Sequence, residues 1–389
     1  MQVNCPKMDY RFYPIEEDYA VWLGEVHRFL ILKEPAFFVF ECYAVGHSKN
    51  TIAERCTAKY NLPESEANRF SQEIINEVEK LMATSDNNSS LATYTEAEPP
   101  GNALTRIQNC AVNGKRFNLL YGDEQIEKTF SPLFSQFEIH RHEKNVTVAT
   151  LAIFKNEQKY YLRMNDGKLL CYPEDDFKQF HGEVYAAFLE LIHGRHLQQW
   201  MGVFHASAVA SEQGALIFVA DSGSGKSTTA ALMMAHGYRL LADDFLPLAT
   251  DSPEVYPLPV AISVKTNAIP PLKKWFPDLD PEDLEDIKNG DEELHSDDYV
   301  SFLPISENSI NLSPVPARAI LFVRYDPDVP FSLIRESNVI MMNSFLKQSW
   351  IAQNPIAASR FLEWYFSLPV YSLVYSDTAL LVNGLKNLF

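Results

Sequence analysis

The stretch Ala220-Asp221-Ser222-Gly223-Ser224-Gly225-Lys226-Ser227-Thr228 follows the apolar run Ala215 to Val219 and opens the run Lys226 to Ala235. Strand, glycine-serine loop, Lys-Ser-Thr step and helix, in that order, describe a phosphate cradle. Consecutive backbone N–H groups and the positive end of the helix face one anion together. Gly223 and Gly225 permit the tight turn and the close approach of backbone to ligand. Lys226 brings a point charge to the outer phosphates, and the Ser227 hydroxyl suits Mg²⁺. Ser222, Ser224 and Thr228 complete the phosphate-facing set. The glycine that usually begins this pattern is replaced by Ala220, the smallest substitute.

Asp243 and Asp244 end the next apolar run, Leu240-Leu241-Ala242. Carboxylates at a strand end beside such a loop can hold the metal. Two of them allow a division of labour, one on Mg²⁺ and one taking a proton from an attacking hydroxyl. We assign Asp243 to the base and Asp244, with Ser227, to the metal, an assignment the sequence also allows in reverse. His205, on the strand before the loop, is placed to support the base. Lys265, at the end of Pro257 to Lys265, is a candidate phosphate contact. Arg318 and Arg324 flank Ala319 to Val323, where a surface role is the simpler expectation.

These residues need a frame. From residue 203 the pattern is α/β: strands Phe204 to Ala210, Ala215 to Val219 and Arg239 to Ala242, with a helix over Lys226 to Ala235. Further on we expect a strand over Ala319 to Val323, a helix over Leu362 to Phe366 and a last strand over Val370 to Val374. Before it, residues 105–180 hold short β-like runs, including Val146 to Phe154 and Lys159 to Leu162, then a helix from Gly182 to about His193. Residues 276–298 are acid-rich and read as a solvated loop or, less simply, a docking surface for a basic peptide.

Residues 10–82 form a separate block. Phe29 to Leu32 and, after Pro35, Phe37 to Phe40 read as strands. Ser48 and Asn50 offer N-caps to a helix, and Pro63-Glu64-Ser65-Glu66 opens a second. Phe70, Ile74, Ile75, Val78 and Leu81 make one apolar stripe on it. The polar stretch 84–103, with its Pro-Pro-Gly break, is the best linker. The expected division is therefore 1–83, linker 84–103 and 104–389.

Composition narrows the partners. The 389 residues carry 33 Lys and Arg against 51 Asp and Glu, a net charge of −18. That is a poor surface for neutralising nucleic-acid phosphates. Five cysteines form no Cys-x-x-Cys pair, so neither a zinc site nor a disulfide framework is expected. Met1 to Tyr10 lacks the apolar core of a secretory signal. No apolar window approaches the ~20 residues of a membrane helix. A soluble cytoplasmic protein without a membrane partner is expected.

The run HASAVASEQGALIFVADSGSGKSTTAALMMAHGYRLLADD resembles the core of the HPr kinase/phosphorylase family, itself related to phosphoenolpyruvate carboxykinase. A histidine-bearing strand, the phosphate loop, a helix ending in a Gly-Tyr-Arg-Leu turn and an Asp-Asp pair follow in the family's order. In this sequence they are His205, Ser222 to Thr228, Gly237 to Leu240, and Asp243-Asp244. The likeness is strong over 204–245 and thinner toward the C-terminus. The glycine-rich downstream signature of kinases acting on the sugar-transport carrier is missing, which counts against that carrier as substrate.

Residues 10–82 are similar in pattern to PqqD-type peptide-recognition domains, winged-helix-type units with three strands before three helices. These bind a leader peptide as an added strand. The pair resembles tailoring kinases of lasso-peptide clusters. Together the resemblances imply an α/β (overall α+β) chain that transfers a phosphoryl group from ATP, with Mg²⁺, to a Ser or Thr hydroxyl of a peptide or protein. Its leader would be held by residues 1–83. GTP or pyrophosphate as donor and a homo-oligomeric state stay open. So do a small-molecule hydroxyl such as free serine as acceptor, and a nucleotide-gated peptide-binding module without transfer.

Overall fold

Three strands, Tyr10–Ile15, Asp18–Leu23 and Arg28–Lys33, pair antiparallel in sequence order and leave the first and third as edges of their sheet. Ala20, Val21, Trp22 and Leu23 of the middle strand are buried. In the computed structural model the described residues are 8–83, 93–94, 106–139, 149–221, 223–279, 285–286, 299–303 and 305–389. The expected linker 84–103, apart from Thr93–Tyr94, lies outside them, as do Ser222 and most of the acidic segment 276–298. Glu285–Asp286, within that segment, pairs antiparallel with Tyr299–Leu303. Thr93–Tyr94 likewise pairs with Leu170 and Cys171.

Helices Glu34–Ala44, Lys49–Tyr60 and Glu64–Ala83 follow the three strands. The strand expected over Phe37 to Phe40 is a correction: those residues are helical. Pro35 sits in the first turn, where its missing N–H costs no intrahelical bond. Phe37, Phe40 and Ala44 pack on the sheet-side cluster, while Val39 and Cys42 pack on a second cluster with Ile52 and Cys56. A helix buried on two sides has no clean polar face, so its apolar run looks like strand material. Ser48 caps the next helix, accepting from Thr51 N at 3.2 Å. Of the expected stripe, Ile75 and Val78 are buried in the third.

The chain divides into two compact units. The first is Met1–Ser90 together with Ser337–Met342 and Ile351–Ser367, two segments that the sequence placed with 104–389. Aromatic packing explains their membership. Tyr13 stacks on Phe366 at 5.5 Å between ring centres, and Phe29 meets Phe361 edge-on at 5.3 Å, both from the helix Pro355–Ser367.

The second unit carries two sheets that matter here. One runs Thr93–Tyr94, Leu169–Pro173, Lys159–Arg163, Ala149–Asn156, Lys115–Tyr121, Arg106–Val112. The helix Phe177–His193 follows it, five residues longer at its start than expected, with Phe180, Val184, Phe188 and Ile192 buried. The other sheet orders Arg239–Ala242, Ser207–Ser211, Gly214–Val219 and Val315–Tyr325, and then Val370–Tyr375 and Phe331–Arg335. Gly214–Val219, Val315–Tyr325 and Val370–Tyr375 are parallel to one another. The single strand expected over Phe204 to Ala210 is two. Trp200–Phe204 pairs with Leu246–Ala249, and Ser207–Ser211 pairs with Gly214–Val219. The chain changes partner at His205-Ala206. Among the described residues, no helix is long and apolar enough to cross a membrane.

Candidate active site

Every residue of Gly214–Val219 is buried, so this strand fixes where the loop begins. The loop then turns through Gly223 at φ +84 and Gly225 at φ +104, conformations in the left-handed region that favours glycine. A Cβ on Gly223 would meet nothing within 4 Å, so the loop's mouth is open there. The helix Lys226–Ala235 starts at once. The first N–H groups of a helix have no intrahelical partner, so with the loop amides they could face an anion.

Lys226 is only 7% exposed, and its ammonium is ion-paired with the Asp244 carboxylate. Asp243 is 2% exposed and accepts from two hydroxyls, Ser227 Oγ at 3.0 Å and Ser207 Oγ. Asp244 has φ +61, a conformation that Asp tolerates better than most residues. That turn lets consecutive carboxylates serve different neighbours. His205, at the strand break, is exposed and places Nδ1 3.2 Å from the Asp244 carbonyl oxygen and 3.7 Å from its carboxylate. The His205 N–H donates to the Gln348 carbonyl at 2.7 Å, and Gln348 Nε2 donates to Asp221 Oδ1 at 3.3 Å. The break is thereby tied to the loop.

Electrostatics separates the two acids. Burial, and then the charge of Asp244, pushes the Asp243 carboxyl up. Burial works the same way on Asp244, but Lys226 and His205 outweigh it and hold that carboxyl below the usual range. Burial opposes the Lys226 charge too, yet Asp244 and Asp243 raise its pKa above the ordinary value. Burial and the nearby Lys226 lower His205, which favours the neutral imidazole. The pair is a neutral-leaning Asp243 beside a charged Asp244.

Lys226, Ser227, Thr228, Asp244 and His205 share a cavity of about 230 Å³ with Lys265. Lys265 ends the strand Ile262–Lys265. Ser224 lines a second cavity with Asp221 and Arg324, and Arg324 is ion-paired with Asp326 at 3.2 Å. Arg318 stands beside Gly214, where a Cβ would fall 2.8 Å from its Cγ. That is the far end of the loop's strand. Ser222 lies outside the described residues.

Several participants escaped the sequence reading. Ser207 reaches Asp243, and its signal was a hydroxyl opening an otherwise small and apolar strand. His181 and Tyr185, on Phe177–His193, stand within electrostatic reach of Asp244. Burial pushes His181 down to about 4, with Asp244 opposing, and raises Tyr185 well above the ordinary phenol. Tyr185 stacks on Phe245 at 5.4 Å, next to the acid pair.

The donor set suits a phosphate chain with Mg²⁺. Open space at a left-handed glycine, a buried ammonium and a helix start would receive an anion, and Ser227 with Asp243 would offer hard oxygen ligands. Among the described residues, no group of three or more His, Cys, Asp or Glu could hold a metal ion. A scan of protein-family models finds no match to the chain, and neither does a search of curated proteins.

Proposed function

We propose that this protein is a Mg²⁺- and ATP-dependent kinase, HPr-kinase-like in its second unit, that phosphorylates a Ser or Thr hydroxyl of a peptide. The observation that carries the reading is the ion pair of Lys226 with Asp244 across the mouth of a glycine loop, with His205 beside it. The cation and the carboxylate satisfy each other. An outer phosphate competes for Lys226 and leaves Asp244 as an unpaired base facing the cavity.

The geometry favours reversing the roles expected from sequence. Asp243 shares Ser227 and is buried, so it belongs with the metal side. Asp244 lines the cavity with His205, where an acceptor hydroxyl can reach it. When bound, Mg²⁺ supplies neutralisation of the charge on the outer phosphates. Lys226 and the loop amides hold those phosphates. Asp244 takes the hydroxyl proton as the acceptor oxygen bonds to the terminal phosphorus and the bond to ADP breaks. His205 orients the Asp244 carboxylate. Lys265, which lines the same cavity, supports the phosphate chain. This arrangement works by position and charge, which is what phosphoryl transfer needs.

The first unit supports a peptide acceptor. Three strands precede three helices, and the edge strand Arg28–Lys33 can take an added strand in the PqqD manner. Binding a leader segment there tethers the acceptor to the enzyme and raises its effective concentration. The free thiols of Cys42, Cys56, Cys110 and Cys171 support a reducing, cytoplasmic setting. Calorimetric titration of MgATP against the parent and Lys226→Ala tests the nucleotide half. Binding by the parent that Lys226→Ala loses is expected, and a parent that binds no nucleotide contradicts it.

A further inference from the structure

We infer that Tyr375 and Thr229 are positioning residues for the phosphate loop, acting through a buried hydroxyl relay that ends on the Gly225 carbonyl. The inference rests on the nucleotide-binding reading above. Thr229 Oγ1 donates to Gly225 O at 2.8 Å, which uses its one hydrogen. The contact of Thr229 Oγ1 with Tyr375 Oη at 2.9 Å must then be a bond from the phenol to the threonine. Both side chains are buried, at 0% and 1% exposure. Burial pushes the Tyr375 phenol up to about 12, so it keeps the proton it donates.

A second bond works in parallel. Tyr325 and Tyr375 are register partners at the ends of two parallel strands. The Tyr325 N–H donates to Ser224 O at 3.0 Å. Of two successive loop carbonyls, Ser224 is thus held directly from a strand end, while Gly225 accepts from the Thr229 N–H at 2.8 Å and from the Thr229 hydroxyl that Tyr375 backs. In a planar trans peptide the C=O and the following N–H point in opposite directions. Holding these carbonyls inward aims the N–H groups of Gly225 and Lys226 outward, into the cradle. The backing is close: a Cβ on Gly225 would lie 3.5 Å from Tyr325 Cβ and 3.9 Å from Tyr375 Oη. A phenylalanine at 375 would fill the same space. What the hydroxyl adds is the bond to Thr229.

The experiment is calorimetric titration of MgADP against the full-length parent, Tyr375→Phe, Thr229→Val, Thr229→Ser and the Tyr375→Phe/Thr229→Val double variant, well below their melting temperatures. Loss of one buried hydrogen bond should weaken MgADP binding by Tyr375→Phe roughly 3- to 10-fold. Thr229→Ser keeps the relay and should bind within about twofold of the parent, a bound set well below that loss. The double variant should bind no more weakly than Thr229→Val, because both changes break one chain. A merely structural role would lower the melting temperature and leave the affinity of the folded protein alone. Parental affinity in Tyr375→Phe, or additive losses in the double variant, overturns the relay while leaving the nucleotide reading standing. A parent that does not bind MgADP overturns both.

Discussion

Ser227 Oγ donates to Asp243 Oδ1 at 3.0 Å, while the next residue, Asp244, gives its carboxylate to Lys226. Adjacent acids therefore serve different partners on the loop. The left-handed backbone at Asp244, φ +61, accompanies that separation. Strained backbone of this kind persists where the surroundings over-determine it, and here Lys226 and His205 do so.

Asp244→Asn should reduce kcat by two decades or more, in line with the roughly 10²–10⁴-fold contribution of a general base. Its nucleotide affinity should change far less. Asp243→Asn should instead weaken nucleotide binding in Mg²⁺ and leave the Mg²⁺-free affinity close to the parent's. Steady-state kinetics and titrations with and without Mg²⁺ read both. Exchanged phenotypes would restore Asp243 as the base.

The raised Asp243 pKa makes a signed prediction about stability. An unfolded aspartate titrates near 3.9, and the folded carboxyl is pushed up to about 7. Between these values the folded state holds the extra proton, so stability contributed at this site falls as pH rises from about 4 to about 7. Asp243→Asn removes that dependence. In urea titrations of nucleotide-free protein, the variant should gain on the parent as pH rises through this window. A difference that does not change with pH would show that Asp243 titrates normally.

Much of this site was legible because its signals are local. A glycine-serine loop, its helix and an acid pair after the next strand are set by neighbours within a few residues. The different partners of Asp243 and Asp244 were not, since they depend on one backbone angle and on Ser207 from another strand. The break at His205 was hidden because Phe204 to Ala210 holds no glycine or proline to mark it. The helix Glu34–Ala44 was misread because it packs on two clusters. Membership of Ser337–Met342 and Ile351–Ser367 in the first unit depends on partners hundreds of residues away, such as Tyr13 for Phe366.

Peptide capture should leave its mark on one strand edge. On adding a precursor peptide without nucleotide, hydrogen–deuterium exchange should slow across residues 29–33, as an added strand covers this edge of the sheet. Protection confined to the second unit would remove strand addition from the account.

The central claim is transfer to a peptide hydroxyl, and mass spectrometry reads it directly. Short peptides encoded beside the gene, incubated with the parent, MgATP and separately with Lys226→Ala, are the samples. The account predicts a peptide that gains one phosphate on a Ser or Thr with the parent and none with Lys226→Ala. Nucleotide binding by the parent with no phosphopeptide from any of these candidates would contradict it.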